Sequence, residues 1–263
     1  MKLIILMFGM LFSAASYATQ PDYEDYLLGA GDTVKVNVYN NDDLATETKI
    51  SANGNILFPW IGEIKVAGLT TIQASNNIAT QLSKKGFIIE PQVNMTVTVY
   101  DSKTFAVLGN VAKPGKYPLD RPLTLTDALS LAGGSVPTGS DIVTVMSSND
   151  GSGSKHTYDL RDFFINGNQA SNPKISPKDV IYVPNYPVFY IYGQVQTPNA
   201  YKLERNMTVS QALAAGGGLT LRATKRVIKI ERTNLDGSIS KLEAKGSDLL
   251  QANDVLFVEE SLF

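Results

Sequence analysis

Between residues 105 and 134 the hydrophobic period of the chain changes in an order that lays out a small fold. Phe105 to Val111 has strand composition, and Pro114-Gly115 supplies a Pro-first, Gly-second turn that predicts a hairpin. Thr124 then caps a helix whose apolar residues Leu125, Ala128, Leu129 and Ala132 fall at i, i+3, i+4 and i+7, with Gly133-Gly134 ending it. A second hairpin is predicted from Ile142 to Met146 across Asn149 to Ser154, and an Asp-led strand, Asp179 to Val183, closes the unit. The pattern returns at an offset of 84, residue 105 lying on residue 189 without a gap. About twelve of the thirty aligned pairs are identical. They include Gly109 on Gly193, Pro114 on Pro198, Arg121 on Arg205, Thr124 on Thr208 and Gly133-Gly134 on Gly217-Gly218. The second copy has its own hairpin, Val227 to Ile230 across Asn234 to Gly237, and its own Asp-led strand, Asp254 to Val258.

A different unit precedes the copies, although Gly29-Ala-Gly-Asp-Thr-Val-Lys-Val36 carries the same Asp-led strand. Ile50 to Leu69 reads as a hairpin turning at Asn53-Gly54, followed by a helix from Thr71 with Ile72, Ile78, Ala79 and Leu82 on one side. Val93 to Val99 alternates as a strand. The fold class is therefore α+β, with a first unit over 23–100 and two tandem units of the β-grasp kind, one helix among several strands, over 105–184 and 189–258. The joints 101–104 and 185–188 are short and are expected to let the units tilt.

The first residues stand apart. Lys2 is followed by an apolar run from Leu3 to Phe12 and then by small residues, which predicts a secretory signal peptide over 1–18 with cleavage between Ala18 and Thr19. An uncleaved anchor is the rival, but about ten apolar residues span about 15 Å as a helix, roughly half a bilayer's hydrocarbon. The 263 residues include no Cys and one His, which excludes disulfide frameworks, thiolate metal sites, a lipid-modified cysteine and multi-histidine metal sites. Formal net charge is -2, so no cationic field argues for nucleic acid.

Candidate chemistry is sparse, and no catalytic, metal or cofactor site is predicted. Asp42-Asp43 resembles a metal pair but follows Asn40-Asn41 and reads as a turn, and Gly216-Gly-Gly218 follows a helix, the wrong context for a phosphate loop. His156 reads as an exposed side chain. Arg222, Lys225, Arg226, Lys229 and Arg232 form a local basic cluster suited to an acidic glycan or a partner, or simply a solvated strand face. Tyr190 and Tyr192, with Tyr182, Tyr186 and Phe189, lie where the copies join and offer rings for sugar stacking or for the seam itself.

Two motifs carry a resemblance. Leu28-Gly-Ala-Gly-Asp-x-Val-x-Val36 followed by Asn53-Gly-x-Ile-x-x-Pro-x-Ile-Gly-x-Ile-x-Val-x-Gly-Leu-Thr70 resembles the polysaccharide biosynthesis/export domain of the outer-membrane polysaccharide export family. The two copies resemble that family's soluble-ligand-binding β-grasp modules, in the family's usual order. The positions carrying it are Gly29, Gly31, Asp32, Gly54, Pro59, Gly62 and Gly68, and in the copies Gly109, Pro114, Gly133, Gly134, Gly193, Pro198, Gly217 and Gly218. The resemblance implies a non-enzymatic component that passes capsule or exopolysaccharide out of a Gram-negative cell. It implies a homo-oligomeric ring, an inner-membrane polysaccharide co-polymerase as partner, and a place in the periplasm. The chain lacks the lipobox cysteine of many members, and five residues after Val258 leave no room for a pore helix. The expectation is a short class, held at the outer membrane through a separate β-barrel channel. The alternatives are a periplasmic glycan-binding or envelope-anchoring module without transport, and a secreted carbohydrate-active enzyme.

Overall fold

A computed structural model of the chain describes residues 25–147, 153–234 and 236–261. The expected leader, with Ala18 and Thr19, lies outside the described residues, as do residues 148–152 of one predicted hairpin turn. No helix among the described residues is long and apolar enough to cross a membrane.

The first unit contains β1 (Thr33–Val38), β2 (Asn41–Lys49), β3 (Asn55–Phe58), β4 (Gly62–Lys65), α1 (Thr71–Lys84) and β5 (Val93–Val99). Antiparallel β2-β1-β5 form one sheet and β3-β4 a separate ribbon. Three details depart from the sequence pattern. The hairpin turns at Pro59 to Ile61, where Trp60 takes φ 65°, while Asn53-Gly54 closes a preceding turn through Gly54 N–H to the Ser51 carbonyl at 2.8 Å. Asp42-Asp43 lies inside β2, since Asn40 at φ 60° has already turned the chain. Ile78 and Leu82 are buried in α1 as expected, but Ile72 is exposed and Ala79 only half-buried, with Ala74 and Ser75 completing the buried face.

The next unit runs β6 (Thr104–Gly109), β7 (Gly115–Pro118), α2 (Leu125–Leu131), β8 (Ile142–Ser147), β9 (Ser154–Asp159), α3 (Leu160–Asn166), a 3-10 turn (Gln169–Ser171) and β10 (Val180–Val183). The last has β11 (Val188–Gly193), β12 (Asn199–Lys202), α4 (Val209–Ala215), β13 (Ala223–Thr233), β14 (Ile239–Ala244) and β15 (Val255–Glu260). Their sheets have the same order, β7-β6-β10-β8-β9 and β12-β11-β15-β13-β14, with one parallel pair in the middle, β6 with β10 and β11 with β15. The 84-residue offset holds through both helices, Leu125 falling on Val209. Phe105 and Phe189 occupy one place in the two cores and stack on Tyr117 and Tyr201 at 5.8 and 5.9 Å. The offset becomes 85 at β8, where Val145 takes the place of Ile230, and after β9 the helix α3 is an insertion that the pattern did not announce.

Three of the helices, α1, α2 and α4, start alike. Thr70, Thr124 and Thr208 each accept the N–H of the third helical residue, Gln73, Asp127 and Gln211, whose side chain accepts the cap's own N–H in return. The β6–β7 and β11–β12 loops correct the predicted turn. Gly115 and Asn199 open strands and do not take positive φ; the left-handed residues are Gly109 at 87° and Gly193 at 92°, at the other end of the loop. A Cβ on either would sit 2.2 Å from the Val183 or Val258 carbonyl, because the chain leaves the parallel pair there. Gly109→Ala and Gly193→Ala are each expected to cost about 1–3 kcal/mol, read as a fall in the urea midpoint of the module concerned. Unchanged midpoints would mean that the strand end shifts freely.

Candidate functional site

One turn recurs in every unit and begins its central strand. Gly29 to Asp32, Ser176 to Asp179 and Gln251 to Asp254 lead into β1, β10 and β15. In each, the Asp N–H donates to the carbonyl three residues earlier at 3.2 Å. The N–H of that earlier residue donates to Asp Oδ2 at 2.9, 2.8 and 2.7 Å. The third residue is left-handed in all three: Gly31 at φ 103°, Lys178 at 71° and Asn253 at 66°. All three carboxylates are buried.

The second oxygen finds a different partner each time. Asp32 Oδ1 accepts the N–H groups of Asp101 and Ser102 at 2.9 and 2.8 Å, and its Oδ2 also accepts the hydroxyls of Tyr26 and Ser102. Burial pushes this carboxyl up, but the donors outweigh it and hold it below the usual carboxylate range. The same burial drives the Tyr26 hydroxyl well above its ordinary value. Asp254 is held bidentately by Arg232, Nε to Oδ1 at 2.8 Å and Nη2 to Oδ2 at 2.7 Å. In β8 the residue at that register is Ser147, and Asp179 Oδ1 has no hydrogen-bond partner among the described residues.

These bonds make the joints stiffer than their length suggested. Asp32 pins the first one, and Gly29 is required there because a Cβ would meet Ser102 Oγ at 2.3 Å. At the second, Ser140 N–H donates to the Pro184 carbonyl and Tyr186 N–H to the Thr138 carbonyl. Arg205 reaches across this seam, its Nη2 donating to Asp141 at 2.7 Å and to Asp159 Oδ1 at 2.8 Å, while Nη1 meets the other Asp159 oxygen. The expected tilt is opposed at both places. Each seam encloses a pocket, about 300 Å³ beside Tyr26, Lys103 and Arg121, and about 160 Å³ beside Tyr186, Lys202 and Arg205.

The basic cluster does not form one free surface. Arg232 is committed to Asp254, Lys229 pairs with Glu259, and Arg222 pairs with Glu260. The side chains of Lys225 and Arg226 lie outside the described residues. Tyr190 and Tyr192 alternate with buried Phe189 and Ile191, so they stand on the sheet face away from α4, where Tyr192 stacks on Phe257 at 4.6 Å. His156 is exposed on β9. Among the described residues no group of three or more His, Asp or Glu is placed to hold a metal ion.

Comparison with known proteins supplies the family. Residues 20–98 match the family described as polysaccharide biosynthesis/export protein, and residues 103–183 and 188–242 each match an SLBB domain. The chain belongs to the polysaccharide biosynthesis/export family. It is 26% identical over 251 residues to the EPS I polysaccharide export outer membrane protein EpsA of Ralstonia nicotianae, covering 84% of this chain and 65% of that one. It is also 26% identical over 215 residues to the polysialic acid transport protein KpsD of Escherichia coli, covering 79% of this chain and 38% of that one. This export-family chain thus spans less than two thirds of the length of these two relatives.

Within it the resemblance-bearing positions are mostly structural turns. Gly54, Gly62, Gly68, Gly133, Gly134, Gly217 and Gly218 all take positive φ. Pro59 opens the β3–β4 turn, with its carbonyl accepting the Ile61 N–H at 2.8 Å, and Pro114 and Pro198 end the loops before β7 and β12. The Asp turns were visible as a repeated letter. The inter-unit role of Asp32 was not, since it depends on which amides the fold brings near.

Two outcomes are expected. Arg232→Ala strands a buried carboxylate and should destabilise the last module by about 3 kcal/mol, the low end for a broken buried pair because Arg232 still touches solvent; Lys229→Ala, on a half-exposed pair, should move the same melting curve much less. The second concerns pH. Because the Asp32 carboxyl is lower in the folded chain than in the unfolded one, its stabilisation is complete above about pH 4 and is lost as pH falls through the depressed folded value. Amide exchange at Asp101 and Ser102, corrected for intrinsic rates, should therefore be slow near neutrality and accelerate below about pH 4. A profile flat across that window would show that Asp32 does not control the joint.

Proposed function

We propose that this export-family protein is a periplasmic conduit component, a homo-oligomer whose protomers close into a ring around a passage for exopolysaccharide or capsule. The ring stands between an inner-membrane polysaccharide co-polymerase and a separate outer-membrane β-barrel channel, and residues 1–18 export the chain. The observation that carries this reading is the succession of one export domain and two SLBB domains held in fixed sequence by polar clamps at both joints. A fixed succession suits a wall element, since a heterologous interface closes only if each protomer has a defined shape. The names of the relatives, a polysaccharide export outer membrane protein and a polysialic acid transport protein, support polymer transport as the task. Transport calls for no chemistry on the polymer, and the reading assigns none.

Deletion of the gene tests it. Surface polysaccharide should disappear while its synthesis continues, and cysteine-free cross-linking in cells should give a ladder of oligomers that depends on the channel partner. Undiminished surface polysaccharide, with a protein that stays monomeric, would instead leave a glycan-binding or envelope-anchoring module.

A further inference from the structure

We infer that the seam between the first unit and the first SLBB domain is a binding site for a carboxylate-bearing sugar unit, read by Arg121 with Lys103 and Lys174. The inference rests on the polysaccharide reading above and adds the charge class of the ligand.

The internal repeat supplies the argument. Arg121 and Arg205 are the same position of the two copies, each following a leucine and an acid, Leu119-Asp120 and Leu203-Glu204. Both sets line a pocket against the preceding unit. In the second seam the guanidinium fork is filled by two carboxylates of that preceding unit, Asp141 and Asp159, and the pair holds Asp159 below the usual carboxylate range. In the first seam no such filling occurs among the described residues. Among the described residues Arg121 hydrogen-bonds only Asp120, its own neighbour in sequence, at 3.3 and 3.4 Å, with the Asp127 carboxylate near enough to feel its charge, and its side chain is 54% exposed against 38% for Arg205. The first unit brings Asp25 to the pocket wall but makes no ion pair with Arg121. The position that one seam uses to grip carboxylates is thus open in the other.

The open pocket is also the larger and the more cationic. Lys103 and Lys174 join Arg121, giving three cations against the two carboxylates of Asp25 and Asp120. Lys103 is held 5.0 Å from the centre of the Tyr26 ring, and Tyr26 is itself tethered to Asp32 and Ser102, so this wall is fixed before any ligand arrives. Tyr26 and Leu119 give an apolar side, and Ser176 a hydroxyl. A planar guanidinium takes a carboxylate bidentately, two lysines add point charges, and an aromatic wall suits a sugar ring. A volume of about 300 Å³ lies at the lower limit for a small-ligand site and fits a single sugar unit better than a long segment.

The test uses the full chain titrated with tetragalacturonate, with cellotetraose as the neutral counterpart and a short poly-glutamate as the non-sugar carboxylate. Tetragalacturonate should bind, weaken with salt, and lose at least tenfold in affinity in Arg121→Ala and in Lys174→Ala, while Lys116→Ala on exposed β7 binds as the parent does. Both substituted residues are exposed, and an unchanged melting curve excludes misfolding. No binding of tetragalacturonate, or equal binding by Arg121→Ala, overturns the inference; poly-glutamate binding as tightly overturns its saccharide part. The deletion strain separates the two claims. Lost surface polysaccharide with no tetragalacturonate binding leaves the export reading standing and removes this site, whereas undiminished surface polysaccharide removes the export reading.

Discussion

A carboxylate taken out of water must be met by donors, and each unit of this protein begins its central strand on one that is. β1, β10 and β15 lie in the middle of their sheets, and each follows an aspartate that closes its own four-residue turn. The turn sets where the strand starts, and therefore the register of the neighbours on both sides. The cost of burying the charge, several kcal/mol for an unpaired ion, is offset locally by one backbone N–H in every copy. What the remaining oxygen finds distinguishes the copies: joint amides for Asp32, a guanidinium for Asp254 and, among the described residues, nothing for Asp179.

The apolar cores are separate, and the joints are not built from them. Buried hydrophobic residues form three clusters, one per unit, with none spanning a boundary. Contact between units is left to charges and backbone groups, the kind of interface that specifies geometry through directional bonds. Seam chemistry is consequently free to vary between copies without disturbing the cores, which is how one repeat position comes to be closed in Arg205 and open in Arg121.

Much of this was legible in the sequence because the repeat gives two independent readings of one pattern. Helices, caps, hairpins and the closing Asp-led strands appear twice, and coincidences in a single copy do not survive the second. The misses have physical causes. Strand β2, Asn-Asp-Asp-Leu-Ala-Thr-Glu-Thr-Lys, buries only Leu44 and so shows no alternation. The helix α3 has no counterpart to be compared with, and it caps on Asp159, a residue that also serves the seam. The turn of the β6–β7 hairpin was assigned to Pro114-Gly115, the obvious local signal, whereas close approach of Val183 forces the left-handed residue to Gly109. The basic cluster looked like a surface because a one-dimensional run cannot show that Arg232 points at Asp254.

The parallel pairs at the centre of the two SLBB domains have a mechanical meaning. In each domain the first and last strands, β6 with β10 and β11 with β15, lie side by side and point the same way. Tension along the chain would pull such strands in opposite directions along their length, so every rung between them is loaded together and none can be peeled off singly. The seams, stiff at rest but held by a few side-chain bonds with no shared core, are the weaker elements in that series. Under load the molecule would yield at its joints first, as a string of stiff links, before any domain lost its fold.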